Sequence, residues 1–405
     1  MYYNAPIAEG EGSIKQVSRP LYIEGIGTQS NEEDSLVGQG MGRGETGVAG
    51  RVQTSFTFIK QVLEDALQEN PNSEITSITF DTFGFSRGAA AARHFSNEIV
   101  RGKQGPLREL LATYANNFSR TFVDQYGGSI RMGFIGLFDT VPSIAGFTNL
   151  GRVKSPIAPG VKLYLDPRFF KDVVHLVARD ECRANFALSN VKPDYPEYAF
   201  PGVHSDIGGS YLDEVEECVL VSPMQTLDVW SNADVKTTSI YKDAARVKNH
   251  WLAKGWPAHL LEIVTPTALA LPAEPQDRFG PKQKRVYAGL QLKRPVSGKL
   301  STVYLRVMYQ LAKEKGVPFT DIPGRTEYAV PQELQSLCDR FVAGDYSTTA
   351  EEEQLLKLKY IHTSANWNHP QGRRDGSGLR AVYINAPTDD GIRVQHPHVA
   401  DWKLW

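Results

Sequence analysis

The sequence contains few cysteines, and this scarcity limits the kinds of protein it can encode. Its 405 residues include only three, Cys182, Cys218 and Cys338, which are widely spaced and form no C-x-x-C pair. An odd number of scattered cysteines supports neither a disulfide framework nor a zinc site. We interpret the three as buried thiols and predict neither a metal nor a cofactor.

The sequence also lacks net charge and long apolar runs. It has 44 basic and 46 acidic residues, a formal net charge of -2, which does not favour nucleic-acid binding or adsorption to an anionic membrane. No stretch approaches the roughly 18 apolar residues of a membrane-spanning helix. The first residues lack the basic and apolar regions of a signal peptide. We therefore expect the protein to be made in the cytoplasm and any export to use another route.

The most informative stretch is residues 78–100, ITFDTFGFSRGAAAARHFSNEIV, which predicts a strand, a tight turn and a helix. The turn contains G-x-S-x-G around Ser86, the spelling of a nucleophile elbow. Gly84 and Gly88 are expected because two backbones would pass too closely for a Cβ atom. The helix would point its free N–H groups at Ser86, which makes the N–H of Arg87 a candidate oxyanion donor.

The order of the elements favours an α/β fold with a mainly parallel sheet and crossover helices. We predict helices at residues 52–68, 107–126, 166–186, 300–315, 331–342 and 351–358, and further strands at 21–24, 130–138, 197–200, 360–364 and 381–384. The glycine-rich residues 38–50 contain G-x-G-x-x-G, but they lie well past a strand. Dinucleotide binding is therefore the less favoured interpretation.

Alternation of strands and helices fades between residues 211 and 300. We interpret this range as an insert or helical cap that could engage a membrane, since it contains Trp230, Trp251, Trp256 and an apolar run. The alternative is that these tryptophans fill a second core. With residues 211–300 as an insert, residues 1–210 would form the catalytic core, and residues 301–405 would complete it.

Partners for Ser86 follow further along the chain. Asp139 comes directly after a predicted buried strand, where α/β sheets place functional groups, although an aspartate there could simply form a turn. His204 lies in a glycine-flanked loop and could be a general base or only a hydrogen-bonding residue. The order Ser86, Asp139, His204 is that of α/β-hydrolases. His175 is interpreted as a packed or surface residue.

Two further residues compete for these roles. His362 is the main rival of His204 as the base, and Asp206 is the rival of Asp139 as the acid. Asp206 is only two residues from His204, a spacing that suits shaping the loop better than orienting the ring from behind. The chain order therefore favours Asp139 and His204.

Several motifs together resemble one family. They are GIGT at residues 25–28, GFSRGAAAAR at 84–93, LFDTV at 137–141 and PGVHSDIGGSY at 201–211, with weaker likeness at 306–318 and 361–367. The chain resembles the α/β-hydrolase lipase effectors of bacterial type VI secretion, first phospholipase group. The resemblance implies Ser86 as nucleophile, Asp139 as acid and His204 as base.

The sequence departs from the family pattern at one place. Family members usually begin with a strand that ends in an FDGT-like turn, and none precedes residue 21 here. The second oxyanion donor therefore stays open, with Gly27 and Thr28 as candidates.

The resemblance further implies a phospholipase A-type toxin that is injected into a neighbouring bacterium and acts on membrane phospholipid from the periplasm. It also implies a carrier in the secretion machine and a cognate immunity protein. The residues by themselves indicate only a serine ester hydrolase. A soluble carboxylesterase for small esters and an inactive binding module of the same fold are the alternatives.

Overall fold

The computed structural model describes residues 15–24, 47–142, 160–272, 282–368, 370–371, 382–383 and 385–400. The GIGT turn with Gly27 and Thr28, most of the glycine-rich stretch, and residues 372–378 of the polar loop near the carboxyl terminus lie outside these ranges.

The described α-helices are α1 Val48–Glu69, α2 Arg87–Val100, α3 Leu107–Thr113, α4 His204–Gly208, α5 Ser239–Ala253, α6 Leu300–Glu314, α7 Gln335–Val342 and α8 Ala350–Lys359. The described strands are β1 Ile78–Phe85, β2 Ile130–Phe138, β3 Val173–Ala178, β4 Leu188–Ser189, β5 Glu197–Phe200, β6 Val215–Leu220, β7 Gln225–Trp230, β8 Leu261–Val264, β9 Leu269–Ala270, β10 Gln283–Val296, β11 Pro370–Gln371, β12 Val382–Tyr383 and β13 Gln395–His396. None of the helices in these ranges is both long and apolar enough to cross a membrane.

A parallel four-stranded sheet forms the centre of the fold, in the order β1, β2, β3, β5. Parallel strands require crossover connections and are covered on both faces, which explains why β3 is buried along its whole length. The prediction of a mainly parallel sheet flanked by helices is confirmed.

Helices cover the two faces of this sheet because successive side chains of a strand point to opposite sides. On β2, Ile135 and Leu137 pack with Ala89 and Ala92 of α2. Phe134, the residue directly before Ile135, belongs instead to the large core built with α6 and α7. Each fully buried Leu or Phe contributes about 1.5–3 kcal/mol, so the two layers hold α2 and α6 firmly against the sheet.

A second, antiparallel sheet occupies much of residues 211–300. Its long strand β10 pairs with β6, β7, β8 and β9, and α5 packs against it. The range was predicted to be a helical insert, but its described residues contain more strand than helix. The apolar run at residues 258–271 contains a short 3₁₀ helix and two short strands, because an apolar run alone does not distinguish a strand from a helix.

Some predicted elements are wrong. Residues 21–24 form no strand, and Tyr22 is 84% exposed, so no buried strand exists there. Residues 166–186 contain strand β3 rather than a helix. Residues 360–364 are irregular, and only the first part of 107–126 is α-helical.

The other predicted helices agree with the structure, whereas the prediction for the cysteines agrees only in part. The helices predicted at 52–68, 300–315, 331–342 and 351–358 are confirmed within a few residues, although the third begins with a 3₁₀ turn. Of the cysteines, Cys338 is buried, Cys182 half-buried and Cys218 exposed, so the expectation of three buried thiols holds for one.

Candidate active site

Ser86 stands at the tip of a sharp turn between β1 and α2. Its backbone has φ 57° and ψ -122°, a conformation that L-residues rarely adopt and that costs free energy unless the surroundings enforce it. The Ser86 N–H donates to the Phe138 carbonyl oxygen at 3.0 Å, which ties the turn to the end of β2. The predicted strand, turn and helix are confirmed, and the turn lifts a partly exposed Ser86 above the sheet.

The two glycines of the motif differ in their surroundings. A Cβ atom on Gly84 would lie 2.1 Å from the carbonyl oxygen of Gly88, far inside van der Waals contact. A Cβ atom on Gly88 would meet nothing within 4 Å. The expectation that both positions exclude a side chain is therefore correct for Gly84 and wrong for Gly88, because the crowding involves only the Gly88 backbone.

Asp139 follows β2 and is fully buried. Its φ of 45° makes it the second described non-glycine residue with positive φ, after Ser86. The Ala178 N–H donates to Asp139 Oδ1 at 2.9 Å. The next residue, Thr140, is held by its N–H donating to His175 Nε2 at 3.0 Å. The neighbouring strand β3 thus fixes the turn that carries the Asp139 carboxylate.

His175 is buried, and its hydrogen-bond partners are Thr140 and Glu197 rather than Ser86. Its Nδ1 is 3.1 Å from Glu197 Oε2, and its Nε2 receives the Thr140 N–H. Burial lowers the pKa of His175, although the hydrogen bond to Glu197 opposes this. The residue is packed, as expected, and supports the turn beside Asp139.

His204 completes a chain of hydrogen bonds. Its Nε2 lies 2.8 Å from Ser86 Oγ, and its Nδ1 lies 2.5 Å from Asp139 Oδ2. If Nδ1 carries the proton donated to Asp139, then Nε2 is free to accept the serine proton. His204 is the first residue of the short helix α4 and not a loop residue, because Asp206 caps that helix.

Aromatic rings hold His204 in place. The Phe85 ring centroid is 4.5 Å from that of His204, and the Phe186 centroid is 5.0 Å away. His204 is only 3% exposed, so these contacts exclude water from most of the ring. A Cβ atom on Gly208 would lie 2.0 Å from the Phe85 ring, which shows how closely α4 packs on it.

The electrostatics of the pair favour an ionised Asp139 beside a neutral His204. Burial by itself would raise the pKa of Asp139, but the charge of Arg393 and the hydrogen bonds from His204 and Arg393 outweigh it, so the pKa lies well below its usual range. Burial lowers the pKa of His204, and the hydrogen bond to Asp139 offsets this only in part. A neutral imidazole is the form that can accept a proton.

Arg393 was missed by the sequence reasoning. Its two terminal nitrogens lie 2.7 Å and 2.8 Å from the two oxygens of Asp139, and its Nε donates to the Phe186 carbonyl oxygen at 2.6 Å. The sequence gives no motif around Arg393. Only the tertiary fold brings it to Asp139.

Glu181 was also missed. Its Oε2 accepts the backbone N–H of His204 at 3.2 Å, and Arg183 pairs with the same carboxylate. Burial would raise the pKa of Glu181, but the Arg183 charge lowers it to about 2. An ionised Glu181 therefore holds the backbone of the first residue of α4.

His362 and Asp206 form a separate pair. His362 Nδ1 lies 2.7 Å from Asp206 Oδ1, and Asp206 Oδ2 accepts the Val203 N–H at 2.9 Å. Tyr211 stacks on the His362 ring with centroids 3.5 Å apart. Burial raises the pKa of Asp206 despite the hydrogen bond from His362. The structure does not bring either residue to Ser86; Asp206 shapes the start of α4 instead.

Of the three candidate oxyanion donors, only Arg87 lies among the described residues. Arg87 is the first residue of α2, immediately after Ser86, so its backbone N–H belongs to the helix N-terminus as expected. Gly27 and Thr28 lie outside the described residues. The second donor stays a prediction.

The parallel sheet and its flanking helices define a mixed α/β protein, and a hydrogen-bond chain joins Ser86, His204 and Asp139 after its strands. A family model for the catalytic domain of Tle1-like phospholipase effectors of the type VI secretion system matches residues 97–233. Among solved structures, the Tle1 effector bound to the VgrG spike is similar, with a TM-score of 0.74 and 30% identity over 93% of this chain and 81% of that chain.

Other comparisons add little. An uncharacterized protein from Pseudomonas aeruginosa has 21% identity and a TM-score of 0.30 over 77% of this chain and 34% of its own, too low to carry an argument. The search of curated proteins finds no match. The similarity to the Tle1 effector is sufficient: this chain belongs to the Tle1-like phospholipase effectors of type VI secretion, which are delivered into target cells. The family resemblance expected from the motifs is confirmed.

Proposed function

We propose that the protein is a phospholipase of the A type that cleaves acyl esters of membrane phospholipids through an acyl-enzyme on Ser86. The observation that carries this proposal is the hydrogen-bond chain, 2.8 Å from Ser86 Oγ to His204 Nε2 and 2.5 Å from His204 Nδ1 to Asp139 Oδ2, on a strained elbow. A buried neutral imidazole beside an ionised carboxylate is the arrangement that activates a serine hydroxyl.

In the proposed first step, Ser86 Oγ attacks the ester carbonyl while His204 Nε2 takes its proton. Asp139 stabilises the imidazolium, and the backbone N–H of Arg87 stabilises the oxyanion together with Gly27 or Thr28. The C–O ester bond then breaks, and the leaving lysophospholipid alkoxide takes the proton from His204. In the second step, water attacks acyl-Ser86 with His204 as base, which releases the fatty acid.

This chemistry fits an α/β-hydrolase fold, which we propose for the parallel sheet with its elbow after β1. We also propose the domain organisation that the sequence predicts, with residues 1–210 and 301–405 as the catalytic core and residues 211–300 as an insert. We propose that this insert meets lipid. Trp230 on β7 and Leu269 on β9, the strands that flank β10 on either side, are 52% and 55% exposed, which supports an apolar contact surface there.

Delivery is proposed by analogy with the relative. The Tle1 effector, 30% identical, is bound to the VgrG spike in its solved structure. We propose that a spike protein of the secretion machine likewise carries this chain, that the chain acts on phospholipid from the periplasm of the target bacterium, and that an immunity protein protects the producer.

The test compares the wild-type protein and Ser86→Ala on mixed phospholipid vesicles and on a soluble short-chain ester, with products identified by mass spectrometry. We expect lysophospholipid and fatty acid from the wild type, and a loss of about 10⁴-fold or more in Ser86→Ala. Lipids with different chains at the two glycerol positions show which ester is cut.

Each alternative has its own outcome in this experiment. Hydrolysis of the short ester without lysophospholipid would favour the carboxylesterase. Inactivity of the folded wild type on both substrates would favour the binding module. Turnover by Ser86→Ala within tenfold of wild type would refute the role of Ser86.

A further inference from the structure

The last described segment of the chain, residues 385–400, brings a cation to the Asp139 carboxylate. Strand β13 pairs in parallel with β4, and the Thr388 N–H donates to the Cys182 carbonyl oxygen at 2.9 Å. Between these attachments lies Arg393, which is 7% exposed. The segment is therefore anchored on both sides of the arginine, and the guanidinium has little freedom to leave.

Arg393 contacts both oxygens of Asp139 in a fork, with Nη1 at 2.7 Å from Oδ1 and Nη2 at 2.8 Å from Oδ2. The same oxygens already accept the Ala178 N–H and bond to His204. A planar guanidinium on a carboxylate fixes the rotation of that carboxylate as well as its position. The third guanidinium nitrogen, Nε, is bound to the Phe186 carbonyl oxygen, so the fork itself is fixed.

We propose that Arg393 is a positioning residue for the reaction: its fork holds the Asp139 carboxylate in the orientation that presents Oδ2 to His204 Nδ1. This inference rests on the proposed function of Ser86, Asp139 and His204. The carboxyl-terminal segment thereby takes part in building the site, because a residue 254 positions after Asp139 orients the acid.

Arg393 also sets the charge that His204 meets. The charged groups facing His204 are Asp139, Arg393 and Glu181, the last of which is paired with Arg183. Burial contributes most to the lowered pKa of His204, Asp139 opposes it, and Arg393 lowers it further. Without Arg393, the imidazolium would face an Asp139 charge with no counter-charge, and the pKa of His204 would rise.

The sign of the effect on activity follows. Protonated His204 cannot accept the Ser86 proton, so a higher His204 pKa moves the acidic limb of the activity profile to higher pH. Arg393→Gln removes both charge and fork. We expect its acidic limb to move up by about one pH unit. Its pH-independent kcat/KM should fall about tenfold to a hundredfold, because the acid is less well oriented.

Arg393→Lys separates the two contributions. It keeps a positive charge but cannot form the planar fork. We expect its acidic limb to stay near that of the wild type, while its kcat/KM falls almost as far as in Arg393→Gln. Arg294 is a matched control because it is also buried, at 2% exposed, and also pairs with a carboxylate. Its Nε lies 2.9 Å from Glu217 Oε2, and its terminal nitrogens donate to the carbonyl oxygens of Lys357 and Ile361. Its Lys and Gln variants should lose stability but keep the wild-type pH profile.

A second readout requires no turnover. Histidine labelled with ¹³C at Cε1 allows the His204 ring to be titrated by NMR, with the signal assigned from its loss in His204→Gln. We expect the His204 titration to move to higher pH in Arg393→Gln and to stay in the Arg294 variants. This separates the two hypotheses, because Ser86→Ala tests the proposed function while the titration tests Arg393.

The inference is overturned if the His204 titration and the acidic limb in Arg393→Gln match the wild type, and if its loss of kcat/KM is no larger than the loss of folded protein. That result would make Arg393 a stabilising residue with no part in positioning the acid.

Discussion

Replacing Gly84 with alanine tests the geometry of the elbow. The new Cβ would lie 2.1 Å from the Gly88 carbonyl oxygen, 2.4 Å from the Gly88 carbonyl carbon and 2.6 Å from the Ala89 nitrogen. All three are backbone atoms, so no side-chain rotation relieves the clash. Restoring ordinary contact requires β1 and α2 to separate by about 1 Å at the turn.

The cost of that separation can be estimated. Overpacking a well-packed site costs about 1–3 kcal/mol, and a clash with backbone belongs at the upper end, so we expect a loss of about 3 kcal/mol in the free energy of unfolding. A displacement of about 1 Å at a reacting group reduces turnover by about 10²-fold. Gly84→Ala should therefore lose activity beyond the loss of folded protein.

Gly88→Ala is the matched control, since its Cβ meets no atom within 4 Å. Alanine is favoured over glycine inside a helix by about 0.5–1 kcal/mol, so this variant should be as stable as the wild type or slightly more stable. Urea denaturation gives the stability of both variants, and ester hydrolysis per folded molecule gives the activity. Equal effects of the two substitutions would refute the elbow geometry.

Two further predictions concern the rival pair and the tryptophans. His362→Ala should lower the free energy of unfolding by about 1–3 kcal/mol, because Asp206 loses a buried partner, yet keep kcat/KM within tenfold of wild type. His204→Ala should lose about 10⁴-fold in kcat/KM. The reverse order of activities would require the site to be redrawn. Trp251 and Trp256 pack with ring centroids 5.0 Å apart, so Trp251→Ser should lower the urea midpoint of unfolding strongly. Trp230 is exposed, so Trp230→Ser should keep that midpoint but reduce hydrolysis of vesicles more than hydrolysis of a short ester. Equal losses on both substrates would contradict a lipid-facing role.

Local patterns predicted the elbow well. Residues 78–100 carry their own strand, turn and helix signals, and the turn chemistry requires glycine at 84, so few distant contacts were needed to identify Ser86. The position of Asp139 also followed from a local rule, because the carboxyl ends of parallel strands meet at one edge of the sheet. The hydrogen bonds among Ser86, His204 and Asp139 are what the chain order anticipated.

Strand β3 was missed because burial removes the pattern that distinguishes strands. All six residues of Val173–Ala178 are buried, so no alternation of apolar and polar residues marks them as a strand. The β-branched residues Val173, Val174 and Val177 were the available signal.

Arg393 could not be found from the sequence at all. It belongs to a segment without a motif, and its partner is 254 positions away. The same holds for the contact between His362 and Asp206, which are 156 positions apart. Such contacts depend on how the carboxyl-terminal segments return to the sheet, which no local periodicity encodes.

The most direct test of Ser86 as nucleophile is covalent labelling. The protein is incubated with a fluorophosphonate, which phosphonylates an activated serine, and the adduct is located by mass spectrometry of peptides. We predict one adduct on Ser86 in the wild type, none in Ser86→Ala, and at least 10²-fold slower labelling in His204→Ala. An unlabelled, folded wild-type protein, or an adduct on another residue that persists in Ser86→Ala, would contradict the account.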